Sequence, residues 1–435
     1  MSVLERVKQF VQECNETNSS LCKMEVIRRY PDLQEIFKYV YDEINFQYGI
    51  TSANIRKQFQ LTTDDVLSCA NIFNLLNDLN DRKITGHLAI KTVLKFIKDN
   101  PDYEEVILNI IDRNLKTRAD YKLINKIYPN CIPVFEVELA NNYDEKTRKK
   151  IDWSKQVWLA SRKLDGVRCC VKFFTNLSVL TIGRSGKEFF TLNKIKAALC
   201  SINLPNNIVF DGEISLRTID GKDDFQGILS EIRKKEHTIE NVRFNIFNLI
   251  PLNEFENAEG SSLYLDRFAT LNSLIHKDDP DLSILEQTRV MSDEHLEELK
   301  AVAAQNNWEG LILRRGDVPY EGKRSDNLLK VKSFKDAEYK VLSAEMGLIR
   351  YICPTTGLEK VENMLSAVTI EHKGNPVRVG SGFKLEERQT FFKDPSLIIG
   401  KMITVKYFEE TTDQNGKISL RFPTCKAIYL NKRDI

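Results

Sequence analysis

Histidine is scarce in this chain and cysteine is scattered. Five histidines are dispersed over 435 residues, which leaves no His-based metal site to propose. The nine cysteines include no C-x-x-C pair, and the adjacent Cys169 and Cys170 would point to opposite faces of a strand. A zinc knuckle and a disulfide framework are therefore both disfavoured, and reduced thiols in a cytoplasmic setting are expected. Long apolar runs are missing too. None approaches the roughly 18 residues that a membrane span needs, and Met1-Ser2-Val3-Leu4-Glu5 lacks a signal-peptide pattern. Net charge is almost absent, with 63 Lys and Arg against 62 Asp and Glu. A nucleic-acid contact would then have to come from locally concentrated positive charge.

What is present is a chain long enough for two to four domains. Residues 1–132 read as helical: Ser2 and Glu5 suit a capping box, and Leu4, Val7 and Val11 recur at helical spacing. Thr63 to Leu79 and His87 to Ile97 repeat that pattern. Near the end of this block, Arg113, Lys116, Arg118 and Lys122 crowd a turn and helix beside apolar positions that would pack inward. Tyr128-Pro129-Asn130-Cys131-Ile132-Pro133 would end any helix. Residues 133–338 alternate between strand and helix signals, with amphipathic helices over Tyr264 to Ile275 and Ser292 to Gln305. Residues 339–435 are mostly short strands with a Gly turn and one small helix, the pattern of a five-stranded OB barrel.

The middle block holds the chemistry. Trp158 to Arg168 reads as strand, turn and return strand, and it crowds Lys163, Asp165 and Arg168 around Gly166. Asn207 to Leu216 alternates with period two, so Asp211 and Glu213 share a face suited to a hard cation such as magnesium. On Leu329-Lys330-Val331-Lys332 the two lysines face one way and the apolar residues the other, which would fix two ammonium groups for phosphate oxygens. Each pattern alone also suits a solvated hairpin or sheet edge.

Together, in this order, they resemble the motifs of the covalent nucleotidyltransferases: DNA ligases, RNA ligases and capping enzymes. Lys163-Leu164-Asp165-Gly166-Val167-Arg168 is similar to the nucleophile motif of that superfamily. Arg184-Ser185-Gly186 is similar to the motif after it, and Asp211-Gly212-Glu213 to the third. Val242 to Leu252 is similar to the motif whose aromatic stacks on the base. Phe247 aligns with that aromatic and Phe244 is a second candidate. Glu309-Gly310-Leu311-Ile312-Leu313-Arg314 and Lys330-Val331-Lys332, with Arg324 upstream, complete the set. Gly380-Ser381-Gly382-Phe383 and Leu420-Arg421-Phe422-Pro423 resemble the OB domain of ATP-dependent DNA ligases, closest to the T-even bacteriophage type.

The resemblance implies an all-α N-terminal DNA-binding domain (1–132), an α+β adenylation domain with antiparallel sheets (133–338) and an OB-fold β-barrel (339–435). It implies Lys163 as nucleophile toward ATP, with Asp165 orienting it or acting at a later step. Arg168, Arg184, Glu213, Phe247, Glu309, Arg314, Arg324, Lys330 and Lys332 would hold the nucleotide. Glu213 and Glu309 would bind Mg2+. Lys116, Arg118 and Lys122 would meet DNA phosphates. The expected reaction is nick sealing in duplex DNA by a monomer, through a lysyl-AMP intermediate. The pieces after Thr424, with Lys426, Lys432 and Arg433, correspond loosely to the last motif. Two departures stand out: Ser161 replaces a glutamate that reads the adenine amino group in many relatives, and Asn248 replaces an aspartate. An RNA ligase or capping enzyme, and a silent nick-binding protein, are the other readings.

Overall fold

The computed structural model describes residues 2–429 apart from 64, 176–177, 219–222, 235–236, 277–278, 333 and 413–415. Lys432 and Arg433 therefore lie outside the described residues. The chain divides into two compact units, Met1–Val134 with Leu348–Asn363, and Phe135–Gly347 with Met364–Ile435.

The first unit is built on helices Val3–Asn15, Ser20–Arg28, Gln34–Tyr41, Ile72–Asn80, Gly86–Asp99, Glu104–Ile111 and Tyr121–Ile127. Leu4, Val7, Phe10 and Cys14 form one buried stripe, and Phe10 packs on Tyr30 and Phe37 with ring centroids 5.5 and 5.0 Å apart. Each such side chain contributes about 1.5–3 kcal/mol by leaving water. The Ser2 hydroxyl accepts from Glu5 N at 3.1 Å, but the Glu5 carboxylate turns to the Tyr103 hydroxyl instead, so only half of the expected capping box forms. The helix read over Thr63 to Leu79 begins at Ile72. The Asn71 side chain caps Asn74 N at 3.0 Å and fixes the start there.

The basic stretch is a turn followed by a helix: a loop runs until Asp120 caps Leu123 N and starts the last helix. Arg113, Lys116 and Arg118 all adopt left-handed backbone, with φ of 58°, 59° and 57°. The loop alternates, burying Leu115, Thr117 and Ala119 and turning Lys116 and Arg118 outward. Within the same unit Arg118 and Arg350 both pair with Glu359, at 2.6 and 2.5 Å.

The second unit contains two facing sheets. One is ordered β1-β12-β10-β2-β9, with β1 Leu139–Asn142, β2 Trp158–Arg162, β9 Thr288–Val290, β10 Gly310–Arg315 and β12 Arg324–Lys332. The other is ordered β4-β3-β5-β6-β8, with β3 Val167–Phe173, β4 Val179–Gly183, β5 Ile208–Leu216, β6 Val242–Pro251 and β8 Leu282–Ile284. A two-stranded ribbon pairs β7 Glu259–Leu263 with β11 Pro319–Glu321. Helices Tyr264–Leu274 and Asp293–Gln305 form where their spacing predicts, the latter capped by the Ser292 hydroxyl on His295 N at 3.2 Å.

The sheets are mixed rather than antiparallel throughout. Edge strands β1 and β8 pair parallel to β12 and β6. The return to β8 runs through helix Tyr264–Leu274, which supplies the crossover a parallel pair requires.

The OB-like sheet is ordered β15-β14-β13-β16-β19, from β13 Lys335–Ile352, β14 Glu359–His372, β15 Asn375–Val379, β16 Met402–Tyr407 and β19 Thr424–Tyr429. A small hairpin pairs β17 Glu410–Thr412 with β18 Ile418–Leu420. Among the described residues the two edges meet at a single bridge, Ser381 with Thr424, so the sheet curls without a full closing ladder.

Candidate active site

The site lies where the chain crosses from one facing sheet to the other. β2 ends at Arg162, Lys163 N donates to Gly310 O at 2.9 Å, and the turn through Gly166 starts β3. Two glycines are obligatory here. A Cβ on Gly166 would lie 2.5 Å from Ile214 O, and Gly310 combines φ +142° with 2.0 Å from that Cβ to Val331 O. Gly166 N in turn donates to Glu213 Oε1 at 2.9 Å.

The register then gathers the charged side chains. Lys332 stands opposite Gly310 and Lys330 opposite Ile312, while Leu329 and Val331 face the buried side. Glu309, 5% exposed, accepts Lys163 Nζ on one oxygen and Lys332 Nζ at 2.8 Å on the other. Burial, followed by Lys332, Arg324, Lys163 and Arg184, holds the Lys330 ammonium below the usual lysine range. Four cations thus converge with it on one spot.

On the other sheet Arg168 is paired across the ladder with Glu213 and grips Asp211 through Nε at 2.9 Å and Nη2 at 2.5 Å. Burial alone would lower the Arg168 pKa, but Asp211 outweighs it and the guanidinium stays firmly charged. Asp211 is consumed by this grip, so of the two carboxylates on the strand face Glu213 is the one turned to the cavity. Burial raises the Glu213 carboxyl to about 7, against the opposing pull of Lys163 and Gly166 N.

Phe247 occupies a bulge in β6. Asp211 pairs with Asn248 and Gly212 with Ile246, which leaves Phe247 without a partner across the ladder. Phe244, Ile246 and Leu249 join the hydrophobic core, whereas Phe247 lines the cavity with Arg168 and Arg314 over its ring at 5.6 and 5.4 Å. The geometry thus separates the two aromatic candidates.

Two connected cavities share Ala140, Lys163, Arg168, Glu213 and Ile312. The inner one, about 110 Å³, has an apolar wall of Leu164, Phe247, Leu285 and Leu328 beside Ser161, Arg162 and Arg314. The outer one, about 470 Å³, adds Arg184, Arg324, Lys330 and Lys332. An apolar slot opening onto a ring of cations suits a planar base followed by phosphates. The carboxylates Glu213 and Glu309 each act electrostatically on Lys163 or its neighbours, and one or two carboxylates plus substrate phosphates is the usual Mg2+ arrangement. That donor set fits Mg2+, although among the described residues no cluster of three or more His, Cys, Asp or Glu forms a cage.

Three partners were not evident from the sequence. Glu138 forms a buried ion pair with Arg314, and its carbonyl accepts Arg168 Nη1 at 2.6 Å. Asp223 accepts Asp165 N at 3.0 Å and pairs with Arg162 at 2.8 Å. Arg421 binds the Asp165 carboxylate with both Nη atoms, the Nη2 contact being 3.0 Å, and lies in the Leu-Arg-Phe-Pro motif read only as an OB signature. Beside it Phe422 and Phe408 sit 5.1 and 5.8 Å from Lys332 Nζ.

Two sheets, a crossover lysine and a cationic cavity define the covalent nucleotidyltransferase class. The family model described as "ATP dependent DNA ligase domain" matches residues 138–332, and the "DNA ligase OB-like domain" matches residues 356–428. These two matches place residues 138–332 and 356–428 with the domains of ATP-dependent DNA ligases. The chain is 26% identical over 309 residues to the DNA ligase of Enterobacteria phage T4, covering 61% of this chain and 62% of that protein. It is 28% identical over 253 residues to the DNA ligase of Haemophilus influenzae, covering 58% of this chain and 80% of that protein. The aligned part thus spans about three-fifths of the phage relative's length. In fold it is similar to the solved structure Pmar-Lig_Pre, with TM-score 0.79 and 22% identity over 97% of this chain and 98% of that one.

Proposed function

We propose that this protein seals nicks in duplex DNA using ATP, with Lys163 as the nucleophile. The observation that carries the reading is Lys163 at the junction of an apolar slot and a ring of cations, with Glu309 on its amine. In the first step the Lys163 amine, having shed its proton, attacks the α-phosphorus of ATP. An N–P bond forms, the bond to the bridging oxygen breaks, and pyrophosphate leaves. Phe247 stacks on the base and Arg314, held by Glu138, backs it. Arg168, Arg184, Arg324, Lys330 and Lys332 neutralise the charge that develops on the phosphates. The adenylyl group then passes to the 5′-phosphate of the nick, and the 3′-hydroxyl displaces AMP to close the strand. Glu213 and Glu309 would hold Mg2+, which supplies further charge neutralisation. Asp165, tied to Arg421, keeps the Leu420-Arg421-Phe422-Pro423 segment at the cavity mouth.

The helical unit would grip duplex phosphates through Lys116, Arg118 and Lys122. The left-handed loop that turns Lys116 and Arg118 outward supports this. A single chain suffices for the site, in keeping with a monomer, and thiols that form no disulfide among the described residues fit a reducing cytoplasm. The described residues include no helix long and apolar enough to cross a membrane. The match to a DNA ligase OB-like domain favours DNA over an RNA ligase or capping reaction. Sealing assays on nicked DNA and nicked RNA, with ATP and GTP in parallel, test this. Sealing of DNA with ATP is expected; preference for RNA or GTP would replace the proposal.

A further inference from the structure

A third cavity, of about 360 Å³, shares Arg162 and Leu164 with the inner nucleotide cavity, and Arg217, Arg243, Asp223, Ser215 and Asn245 also line it. Its hydrogen-bonding capacity is unbalanced. Asp223 Oδ2 already meets both Arg162 Nη2 and Asp165 N. The Asn245 amide donates inward, to Glu213 O at 3.1 Å and Ser215 Oγ at 2.9 Å. Arg217 is anchored on the carbonyls of Pro280 and Glu240 and lies 3.5 Å from Asp281. Donors remain. Arg162 Nε and Arg243 Nε are both shut off from solvent without a hydrogen-bond partner, and among the described residues no carboxylate pairs with Arg243. Buried donors left unpaired are uncommon and costly, so two beside one cavity point to an acceptor that comes from outside. Guanidinium forks match the oxygens of a phosphate group.

We propose that this cavity, which adjoins the inner nucleotide cavity at Arg162 and Leu164, is a second anion site that takes a phosphate group between Arg162 and Arg243. The phosphate belongs either to a nucleic-acid backbone, which rests on the ligase reading above, or to a free small anion, which does not. The site adjoins the nucleophile. Arg162 precedes Lys163 and lies over the Trp308 ring at 5.5 Å, and its partner Asp223 holds Asp165 N. An anion drawing on Arg162 would therefore be felt by the loop that carries Lys163.

The test compares the wild type with Arg243→Gln, and with Arg243→Met as a second variant that keeps the aliphatic stem. Inorganic phosphate is titrated while Tm is followed, and binding to intact duplex DNA is measured from low to moderate salt. Phosphate also meets Lys330 and Lys332, but equally in all three proteins, so the difference reports the cavity. A smaller phosphate-induced rise in Tm for both variants supports the small-anion source. A slope of log K against log[salt] shallower by about 0.9 supports the backbone source. Identical phosphate shifts together with identical salt slopes overturn the proposal, and the phosphate result stands even if DNA sealing fails.

Discussion

The ion pair between Arg421 and Asp165 makes the sharpest quantitative demand. Its side chains are 19% and 21% exposed, and both Nη atoms of Arg421 reach the carboxylate. An exposed pair would contribute at most about 1 kcal/mol, whereas hydrogen bonds to charged groups with water largely excluded contribute about 1.5–3 kcal/mol. A coupling of about 2 kcal/mol follows for this geometry, equivalent to roughly thirty-fold in rate. Arg421 brings Phe408 and Phe422 toward Lys332, and Asp165 lies two residues from Lys163, so the coupling should appear in enzyme adenylation. Single-turnover formation of labelled enzyme-adenylate is measured for wild type, Asp165→Asn, Arg421→Gln and the double variant. Each single change should slow the step, and the double variant should be no slower than the worse of the two. Losses that multiply in the double variant would refute the argument that the two act as one contact.

Other consequences follow from the same geometry. In the metal-free protein Glu213 is raised from its ordinary value to about 7, so it stabilises the fold fully only below about pH 4.5, and that contribution is lost as pH rises through 7. Urea unfolding with chelator present should show about 2.5 kcal/mol lost between pH 5 and 8 relative to Glu213→Gln; parallel pH profiles for the two proteins would contradict this. Glu138→Gln leaves Arg314 charged and buried and should cost about 3–5 kcal/mol of stability by denaturant unfolding. A value near zero would mean that the pair is open in solution. Phe244→Ala should cost about 3–5 kcal/mol of stability because that ring lies in the core. Phe247→Ala should instead raise the KM for ATP about tenfold or more at little cost in stability. The reverse pattern would reassign the stacking residue.

Periodicity carried much of this architecture. The two lysines of Lys330-Val331-Lys332 and the apolar residues between them alternate as a strand must, so their placement was legible from four letters. Where local signals conflict with longer-range ones, the reading failed. Thr63 to Leu79 carries helical spacing throughout, yet the Asn71 cap sets the start. Nothing in the letters Arg113, Lys116 or Arg118 announces left-handed backbone, which glycine or asparagine usually signals, so the basic turn was expected but its backbone shape was not. Partners distant in sequence were invisible for a different reason. Glu138 lies 176 positions from Arg314, and Arg421 lies 256 from Asp165. Single acids and arginines at such separations carry no spacing pattern. The bulge that turns Phe247 out of the core is likewise a property of two strands in register, not of either alone.

The central claim is tested most directly by incubating the protein with α-labelled ATP and Mg2+, and comparing wild type with Lys163→Ala. An acid-labile, alkali-stable adenylate on the wild type alone is the predicted result. Label retained on the alanine variant would contradict the assignment of Lys163 as the nucleophile.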